Sequence, residues 1–441
     1  MTAPADSQPI TNRRVLNIAL PIVLSNATVP LLGIVDTGVV GQLGEAAPIG
    51  AIGIGVTILT FVYWTFGFLR MGTSGMAAQA LGAGDEREMN ALLIRGYIIA
   101  GIIGLAIILL QAPLFWLALQ FSPASAEVEA LTTDYMRIRV WSAPATIGMY
   151  AITGWLVALE RTREVLFLQV WMNGLNIILD LWFVLGLDMG VEGVAAANVI
   201  AEWSGMAIGV WMCRSVLAGG EWRDRALVFA AEKWRRMTSI NTDIMIRSFL
   251  IQVGFSFFLL RASAFDDVTL AANQILLQFV FATSHAMDGF TSAAQSLVGQ
   301  AYGARRHEQV RRGAMLPVTW GVAGASVIGV LFWLGGGFLI DLMTTSEEVR
   351  AAGYAYLIWV VLMPPLSSPG WLLDGVFIGA TRGRDMRNSM FISLAIYIAS
   401  AFVLIEAFGN HGLWAGLLVF FIARGVTLGL RYPALEAGAK D

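Results

Sequence analysis

Twelve apolar stretches of about twenty residues or more dominate this sequence and constrain what it can fold into. They are residues 15–40, 47–72, 92–119, 134–158, 165–186, 191–213, 238–261, 268–299, 313–334, 352–378, 388–407 and 411–430, of which the fourth and seventh are the most polar. An α-helix needs about 20 apolar residues to cross a hydrocarbon core of about 30 Å, and it satisfies its own backbone hydrogen bonds there. The pattern predicts an all-α membrane protein with twelve transmembrane helices.

Composition and motifs exclude most other classes of protein. The chain is 57% hydrophobic and 13% charged, and its one cysteine, Cys213, excludes an intrachain disulfide and a multi-cysteine metal site. The segment "HEQVR" (307–311) lacks the second histidine of a zinc protease motif, and the sequence has no phosphate-binding loop. We therefore expect no enzyme activity, no metal, no cofactor and no nucleic-acid partner. The first apolar stretch is too long for a signal peptide and is predicted to be retained.

Arginine placement predicts the orientation, because short cytoplasmic loops carry an excess of Lys and Arg. With the N-terminus inside, the cytoplasmic loops hold most of the arginines, among them Arg13, Arg14, Arg161, Arg163, Arg305, Arg306, Arg382 and Arg384. The outer side then has Arg137, Arg139, Arg261 and Arg350. We expect a multi-pass protein of a bacterial inner membrane with both termini in the cytoplasm.

The sequence also contains an internal repeat with a constant offset of 221 residues. The offset pairs "QALGA" (79–83) with "QAYGA" (300–304), Tyr135 with Tyr356, Pro144 with Pro365, Gly154 with Gly375, and "RTR" (161–163) with "RGR" (382–384). Six helices per copy is an even number, so both copies enter the membrane in the same direction, as in parallel-repeat transporters. We predict two six-helix lobes, residues 1–213 and 237–441, joined by a cytoplasmic linker at 214–236.

Isolated acidic residues inside the first and fifth spans indicate a buried polar site. Asp36 is the only ionisable residue in 15–44, and Asp180 is the only one in 165–187. Asn173 and Asn176 precede Asp180 at a spacing that puts all three on one helical face. Lipid cannot satisfy such a stripe, so we expect it to face the interior of the lobe.

These residues suggest a site that couples transport to a cation. Burial and mutual repulsion favour the protonated form of paired carboxyl groups, so Asp36 and Asp180 could take up a proton on one side of the membrane and release it on the other. Alternatively, each is a fixed hydrogen-bond partner between helices. Further polar residues within spans are secondary candidates for coupling, although ion pairing would also explain them: Glu202, Asp288, Asp374 and Arg70.

Pro21 lies within the first span, where a missing N–H and a ring clash bend a helix. The bend is either a fixed kink or a gate whose angle changes when Asp36 is protonated. The sequence does not decide between these two readings.

Four segments together resemble one transporter family. They are "LPIVLSNATVPLLGIVDTGVVGQLG" (20–44), "NGLNIILD" (173–180), "NTDIMIRSFL" (241–250) and "LLDGVFIGATRGRDM" (372–386). In combination they resemble the multidrug and toxic compound extrusion (MATE) family, and within it the DinF-like branch. The resemblance extends over about residues 12–432.

The resemblance implies export of organic cations or other amphipathic compounds, driven by an inward proton or sodium gradient as two lobes rock around a central cleft. In similar proteins the coupling site is formed by residues that match Asp36, Asn176 and Asp180. The resemblance further assigns to this site the positions of Pro21, Tyr135 and Asn198. The seventh span has no acidic residue in 252–260, unlike the sodium-driven branch called NorM, and this favours protons.

A flippase for a lipid or lipid-linked substrate is the alternative function within the same superfamily. A flippase for an anionic headgroup is expected to line its cavity with several basic residues, whereas only Arg70, Arg247 and Arg424 lie deep inside predicted spans. This count favours the antiporter. The expected partners are small amphipathic or cationic substrates and membrane lipid, and we expect a monomer.

Overall fold

The computed structural model describes residues 9–28, 38–39, 41, 46–120 and 124–439, so Asp36 lies outside the described residues. Within them all regular structure is helical. The α-helices are α1 Asn12–Ala27, α2 Ala46–Trp64, α3 Phe68–Gly82, α4 Glu86–Leu109, α5 Gln111–Gln120, α6 Ala126–Arg139, α7 Ala143–Ala158, α8 Thr162–Asp180, α9 Gly190–Met212, α10 Arg214–Gly219, α11 Arg225–Val228, α12 Ala231–Ala262, α13 Asp267–Gly303, α14 His307–Met343, α15 Glu347–Gly379, α16 Gly383–Phe408 and α17 Asn410–Ala437.

These helices form the twelve predicted passages in two six-helix lobes. In the described part of the chain, nine helical stretches are long and apolar enough to cross a membrane. Of the other three predicted spans, the first extends into residues that the structure does not describe and the fourth is divided by a turn. The eighth is the single helix α13, whose apolar character is diluted by residues such as Asn273 and Gln278.

The fourth passage differs from the single helix predicted at 134–158. It begins earlier, at Ala126, and a 3-10 turn at Val140–Ser142 separates α6 from α7. Pro144 stands in the first turn of α7. Because its ring clashes with the carbonyl four residues earlier and it donates no N–H, the regular helix is interrupted ahead of it.

The predicted linker at 214–236 is itself partly helical. It contains α10, a 3-10 turn at Glu221–Arg223 and α11, and its last residues, from Ala231 onward, already belong to α12. Asp224 caps α11 by accepting a hydrogen bond from the Leu227 N–H at 3.1 Å, and Arg87 pairs with the same aspartate. The linker therefore packs along the end of α4 as an ordered segment.

Each lobe has its own hydrophobic core. The N-terminal part of each lobe's first helix packs against the core of the other lobe. The N-lobe core includes Trp155, and it takes in Met237 and Ile240 from the start of α12. The C-lobe core includes Trp414, and it takes in Val15 and Ala19 from α1. The two first helices therefore cross between the lobes.

The repeat is visible as reciprocal contacts between α3 and α13. Gly82 packs on the carbonyl of Gln300, and Gly303 packs on the carbonyl of Gln79. A Cβ atom at either glycine would overlap that carbonyl. Each member of one contact lies 221 residues from its counterpart in the other, as a parallel repeat with an axis along the bilayer normal requires. Small residues let the two backbones approach closely.

The two glutamines of the repeat also bind the opposite lobes in the same way. Gln79 Nε2 donates to the carbonyl of Gly379 at 3.0 Å, and Gln300 Nε2 donates to the carbonyl of Ala158 at 2.9 Å. These four positions are again related by 221 residues.

An arginine from the first helix of a lobe completes each of these contacts. Arg14 donates to Gln300 Oε1 at 2.8 Å, and Arg236 donates to Gln79 Oε1 at 2.9 Å. We call the two groups, each a glutamine with its carbonyl and arginine partners, the glutamine clamps.

The clamps define one end of the bundle, which carries loops 83–85, 159–161, 304–306 and 380–382. We call it the closed end. Among the described residues, the inter-lobe hydrogen bonds run from this end to Arg70, Asn26 and Asp288 near the middle of the helices. From that level to the opposite end, no hydrogen bond or ion pair between described residues joins the two lobes, and we call the region between the lobes there the cleft.

Candidate functional site

The predicted polar stripe on α8 is buried and bonded to the neighbouring helix. Asp180 is fully buried, and Asn176 is 2% exposed. In the amide orientation that satisfies both of its groups, Asn176 donates to Asp180 Oδ2 at 3.1 Å and accepts from the backbone N–H of Asn198 on α9 at 3.2 Å. The structure therefore brings three predicted site residues into one hydrogen-bonded group.

Asn173 extends this group to the first helix. Its Nδ2 donates to Thr28 Oγ1, just after the end of α1, at 2.8 Å. Its Oδ1 accepts from Gln169 at 2.9 Å. Asn198 donates its own side-chain amide to the Val194 carbonyl at 3.0 Å. The amides are thus held in fixed orientations, and the α8 face meets α1 close to where the chain continues toward Asp36.

The backbone changes its helical pitch immediately after Asp180. Residues Leu181–Gly186 form a π-helix. Single π-turns within α-helices free backbone groups and are frequent at functional sites. Here the π-helix places the wider turn directly at the buried carboxylate.

Pro21 frees a backbone carbonyl that another predicted passage uses. A proline at position 21 donates no N–H to the Asn17 carbonyl, four residues earlier. The hydroxyl of Thr162, at the start of α8, donates to that carbonyl at 3.2 Å. Thr162 is fully buried. The helix that contains Pro21 is therefore hydrogen-bonded to the helix that carries Asp180.

We expect Thr162→Val to destabilise the protein by about 0.5–1.5 kcal/mol, because the Asn17 carbonyl loses the part-buried hydrogen bond from the Thr162 hydroxyl. In a Pro21→Ala background the cost should shrink, since alanine restores the helical N–H donor to that carbonyl. Unfolding of the four proteins in detergent measures this cycle. Equal costs of Thr162→Val in both backgrounds would show that the hydroxyl does not serve the carbonyl freed by the proline.

Tyr135 and Glu202 lie in a second polar group of the N-lobe. Glu202 forms a forked ion pair with Arg139, with N–O distances of 2.7 and 2.6 Å, and accepts from Thr146 at 2.6 Å. Tyr135 is buried against Gly55 and lies within electrostatic range of Arg139. The ion pair explains Glu202 without a role in coupling, as the sequence left open.

The predicted secondary residues Arg70, Asp288 and Asp374 all form ion pairs. Arg70 pairs with Asp288 across the lobes, with N–O distances of 3.1 and 3.2 Å. Asp374 pairs with Arg247 and with Arg424 inside the C-lobe. Both carboxylates are therefore engaged by guanidinium groups, which compete with any cation for their oxygens.

Several residues of the site were not singled out from the sequence. Thr28 and Thr162 are ordinary within helical segments, and their role comes from a partner distant in the chain. Asn26 donates to Asp288 at 3.3 Å and to the His285 carbonyl at 2.9 Å. The glutamine clamps did carry a signal, since Gln79 and Gln300 are the first residues of the clearest repeated motif.

Comparisons with known proteins agree with this architecture. The family model MatE matches residues 21–182 and 244–403, one segment in each predicted lobe. The chain is 36% identical to DNA damage-inducible protein F of Escherichia coli over 433 residues, which cover 95% of this chain and 91% of that protein. It is 27% identical to a probable multidrug resistance protein NorM of Bradyrhizobium diazoefficiens over 449 residues, which cover 95% and 92% of the two chains.

The fold is also similar to a solved structure. The crystal structure of the Vibrio cholerae MATE transporter VcmN in the bent form matches with a TM-score of 0.85 at 20% identity, covering 97% of each chain. This likeness confirms the twelve-helix fold with two lobes, and the family matches confirm that the protein is a transporter and not an enzyme. The chain belongs to the MatE family, the multidrug and toxic compound extrusion transporters, as the four sequence segments predicted.

Proposed function

We propose that the protein is a secondary active antiporter that exports amphipathic compounds, organic cations among them, in exchange for protons. The observation that carries the proposal is the buried group formed by Asp180, Asn176 and Asn198, which meets α1 through Asn173. A carboxyl group in such a place exists as a proton carrier or as a hydrogen-bond anchor. Its position between a helix that contains a proline and a π-turn favours the proton carrier.

The C-lobe supports protons over sodium as the coupling ion. Sodium requires several oxygen ligands, whereas a proton requires one carboxyl group. In the described part of the C-lobe, the acids that lie deep in the helices, Asp288 and Asp374, are both paired with arginines. By resemblance, Asp36 completes the proposed N-lobe site, Tyr135 is assigned to the same site, and Pro21 is the proposed gate.

The arrangement of the lobes supports an alternating-access cycle. If the arginine-rich loops are cytoplasmic, the closed end faces the cytoplasm and the cleft faces outward. Reaching the inward-open state then requires both glutamine clamps to break while each lobe keeps its own core. Protonation of Asp36 and Asp180 in the outward-open state would bend α1 near Pro21, shrink the N-lobe side of the cleft and release the substrate. We place the transporter as a monomer in a bacterial inner membrane, surrounded by lipid.

The test is transport by purified protein in liposomes loaded with a fluorescent amphipathic cation. We expect transport to follow an imposed pH gradient in sodium-free buffer and to stop when the pH gradient is collapsed. A sodium gradient at equal pH is the matched control. Transport that needs sodium and ignores the pH gradient would overturn the proton assignment, and movement of a lipid probe without dye transport would favour the flippase.

A further inference from the structure

Five charged residues from five helices form two neighbouring ion-paired groups at the inner end of the cleft. They are Arg70 on α3, Arg247 on α12, Asp288 on α13, Asp374 on α15 and Arg424 on α17. We call them the arginine cluster. It is separate from the Asp180 group, which lies on α8 and α9.

The inner part of the cluster is closed off from water. Asp374 forms ion pairs with both Arg247 and Arg424, and Arg424 Nε donates to Asp374 Oδ1 at 3.3 Å. The Asp374 and Arg424 side chains are both 2% exposed, and the Arg247 side chain is 9% exposed. One carboxylate therefore serves two buried arginines.

The outer part of the cluster is partly exposed. Arg70 and Asp288 form a two-pronged ion pair between the lobes, yet their side chains remain 28% and 24% exposed. Just beyond them toward the closed end, Gly72 packs on Asn241 and Gly289 packs on the Ala19 carbonyl. The pair therefore lies at the inner end of the cleft, which we call the cleft floor, and the two glycine contacts lie next to it on the side of the closed end.

The cluster carries more positive than negative charge. Three guanidinium groups share two carboxylates, and Arg247 lies within electrostatic range of Asp288 as well as in contact with Asp374. In the described part of the chain no further acidic side chain pairs with these three arginines. Unbalanced buried charge is costly, and an anion at the exposed edge would balance it. The nearest ionisable neighbour on α13, His285, would only add positive charge.

We propose that Arg70, with Arg247 behind it, is a subsite for the acidic group of an amphipathic substrate. A sulfonate, carboxylate or phosphate would take the place of the Asp288 carboxylate on Arg70, since the guanidinium fork fits all three groups. The inference rests on the proposed export function and narrows its substrates to compounds that include an anionic or zwitterionic class.

In the proposed alternating-access cycle, the subsite becomes available to a substrate when the closed end opens. Arg70 lies in the N-lobe and Asp288 in the C-lobe, so opening the closed end must separate them. Asp288 then remains within electrostatic range of Arg247, whereas Arg70 loses its carboxylate. An acidic substrate that enters from the opened side replaces that carboxylate, and Asp288 competes with it again when the lobes close.

Binding of two rhodamine dyes to the full-length protein in detergent tests the subsite without any ion gradient. The probes are sulforhodamine B, which carries sulfonates, and tetramethylrhodamine ethyl ester, which is a cation. We expect Arg70→Gln to weaken sulforhodamine binding by at least about tenfold, because a charge-assisted hydrogen-bonded pair is lost. Asp288→Asn should strengthen it, because the competing carboxylate is removed. Binding of the cation should show neither change.

Arg387→Gln is the matched control, because Arg387 pairs with Asp243 in the C-lobe at 2.7 Å and is similarly exposed. It should leave both dyes unaffected. Failure of sulforhodamine to bind, or equal binding by wild type and Arg70→Gln, would overturn the subsite and leave proton-driven cation export standing. If the binding changes are observed but a pH gradient does not drive transport, the proposed function is wrong and the anion subsite stands.

A lipid headgroup and a soluble amphiphile share this acidic chemistry, and competition separates them. If phosphatidylglycerol displaces the bound sulforhodamine while phosphatidylcholine does not, the subsite takes a lipid phosphate. If neither lipid displaces it, the subsite takes the acidic group of a soluble compound. Either result supports an anion subsite, provided that Arg70→Gln weakens the binding of sulforhodamine B and leaves the binding of the cationic dye unchanged.

Discussion

Gly303→Ala is expected to prevent the closed end from forming as observed and to reduce transport strongly. The added Cβ overlaps the Gln79 carbonyl on the opposite lobe, and backbone cannot move aside as a side chain does. Overpacking of this kind costs about 1–3 kcal/mol, which shifts the balance between the two lobe arrangements by a factor of about 5 to 150. Gly82→Ala should have the same effect, because Gly82 meets the Gln300 carbonyl.

Distances between spin labels measure the shift directly. With Cys213 replaced by serine, labels at Glu86 and Glu308 report on the separation of the lobes at the closed end. We expect a longer distance in Gly303→Ala than in wild type. Gly335→Ala is the control, because this helical glycine has nothing within 4 Å of its Cβ position. An unchanged distance together with full transport in Gly303→Ala would show that the tight crossing of α3 and α13 is not a gate.

Asp180→Asn is expected to leave the protein folded but uncoupled from the proton gradient. Asparagine keeps the size of the side chain and some of its hydrogen bonds to Asn176, but it cannot carry a proton. The rate of gradient-driven efflux should fall by roughly 5- to 150-fold, which corresponds to a loss of about 1–3 kcal/mol of coupling free energy. Asp36→Asn should behave in the same way. Asn176→Ala should be milder, because it removes no charge.

Asp134→Asn is the matched control for these variants, since Asp134 is an N-lobe aspartate whose side chain is 48% exposed. It should transport at the wild-type rate. Dye binding and thermal unfolding distinguish loss of coupling from loss of structure. Wild-type efflux by Asp180→Asn would assign Asp180 the role of a fixed hydrogen-bond anchor.

The spans and the polar stripe could be predicted from the sequence because both depend on local periodicity. The length of an apolar stretch determines whether a helix crosses the bilayer, and residues such as Asn173 and Asp180 share a helical face at any tertiary arrangement. The repeat offset could be read in the same way, as a register between two copies. The 3-10 turn at Val140–Ser142 was not predicted. The sequence alone does not distinguish a proline in the first turn of a helix, such as Pro144, from a proline inside a longer helix.

The tertiary structure decided which of these residues meet. Arg70, Arg247 and Arg424 lie in three separate spans and counted as too few for an anion site, but folding brings them together around two carboxylates. The Asn17 carbonyl that Pro21 frees finds its donor at Thr162, more than a hundred residues away. Such pairings depend on how closely two helices approach, and here backbone contacts at glycines such as Gly82 and Gly303 fix that distance. The sequence by itself determined a duplicated membrane transporter with a buried acidic stripe, because helix length and helix periodicity are local. Only the packed lobes determined the closed end and the charge of the cleft floor, because both arise between residues that no local pattern connects.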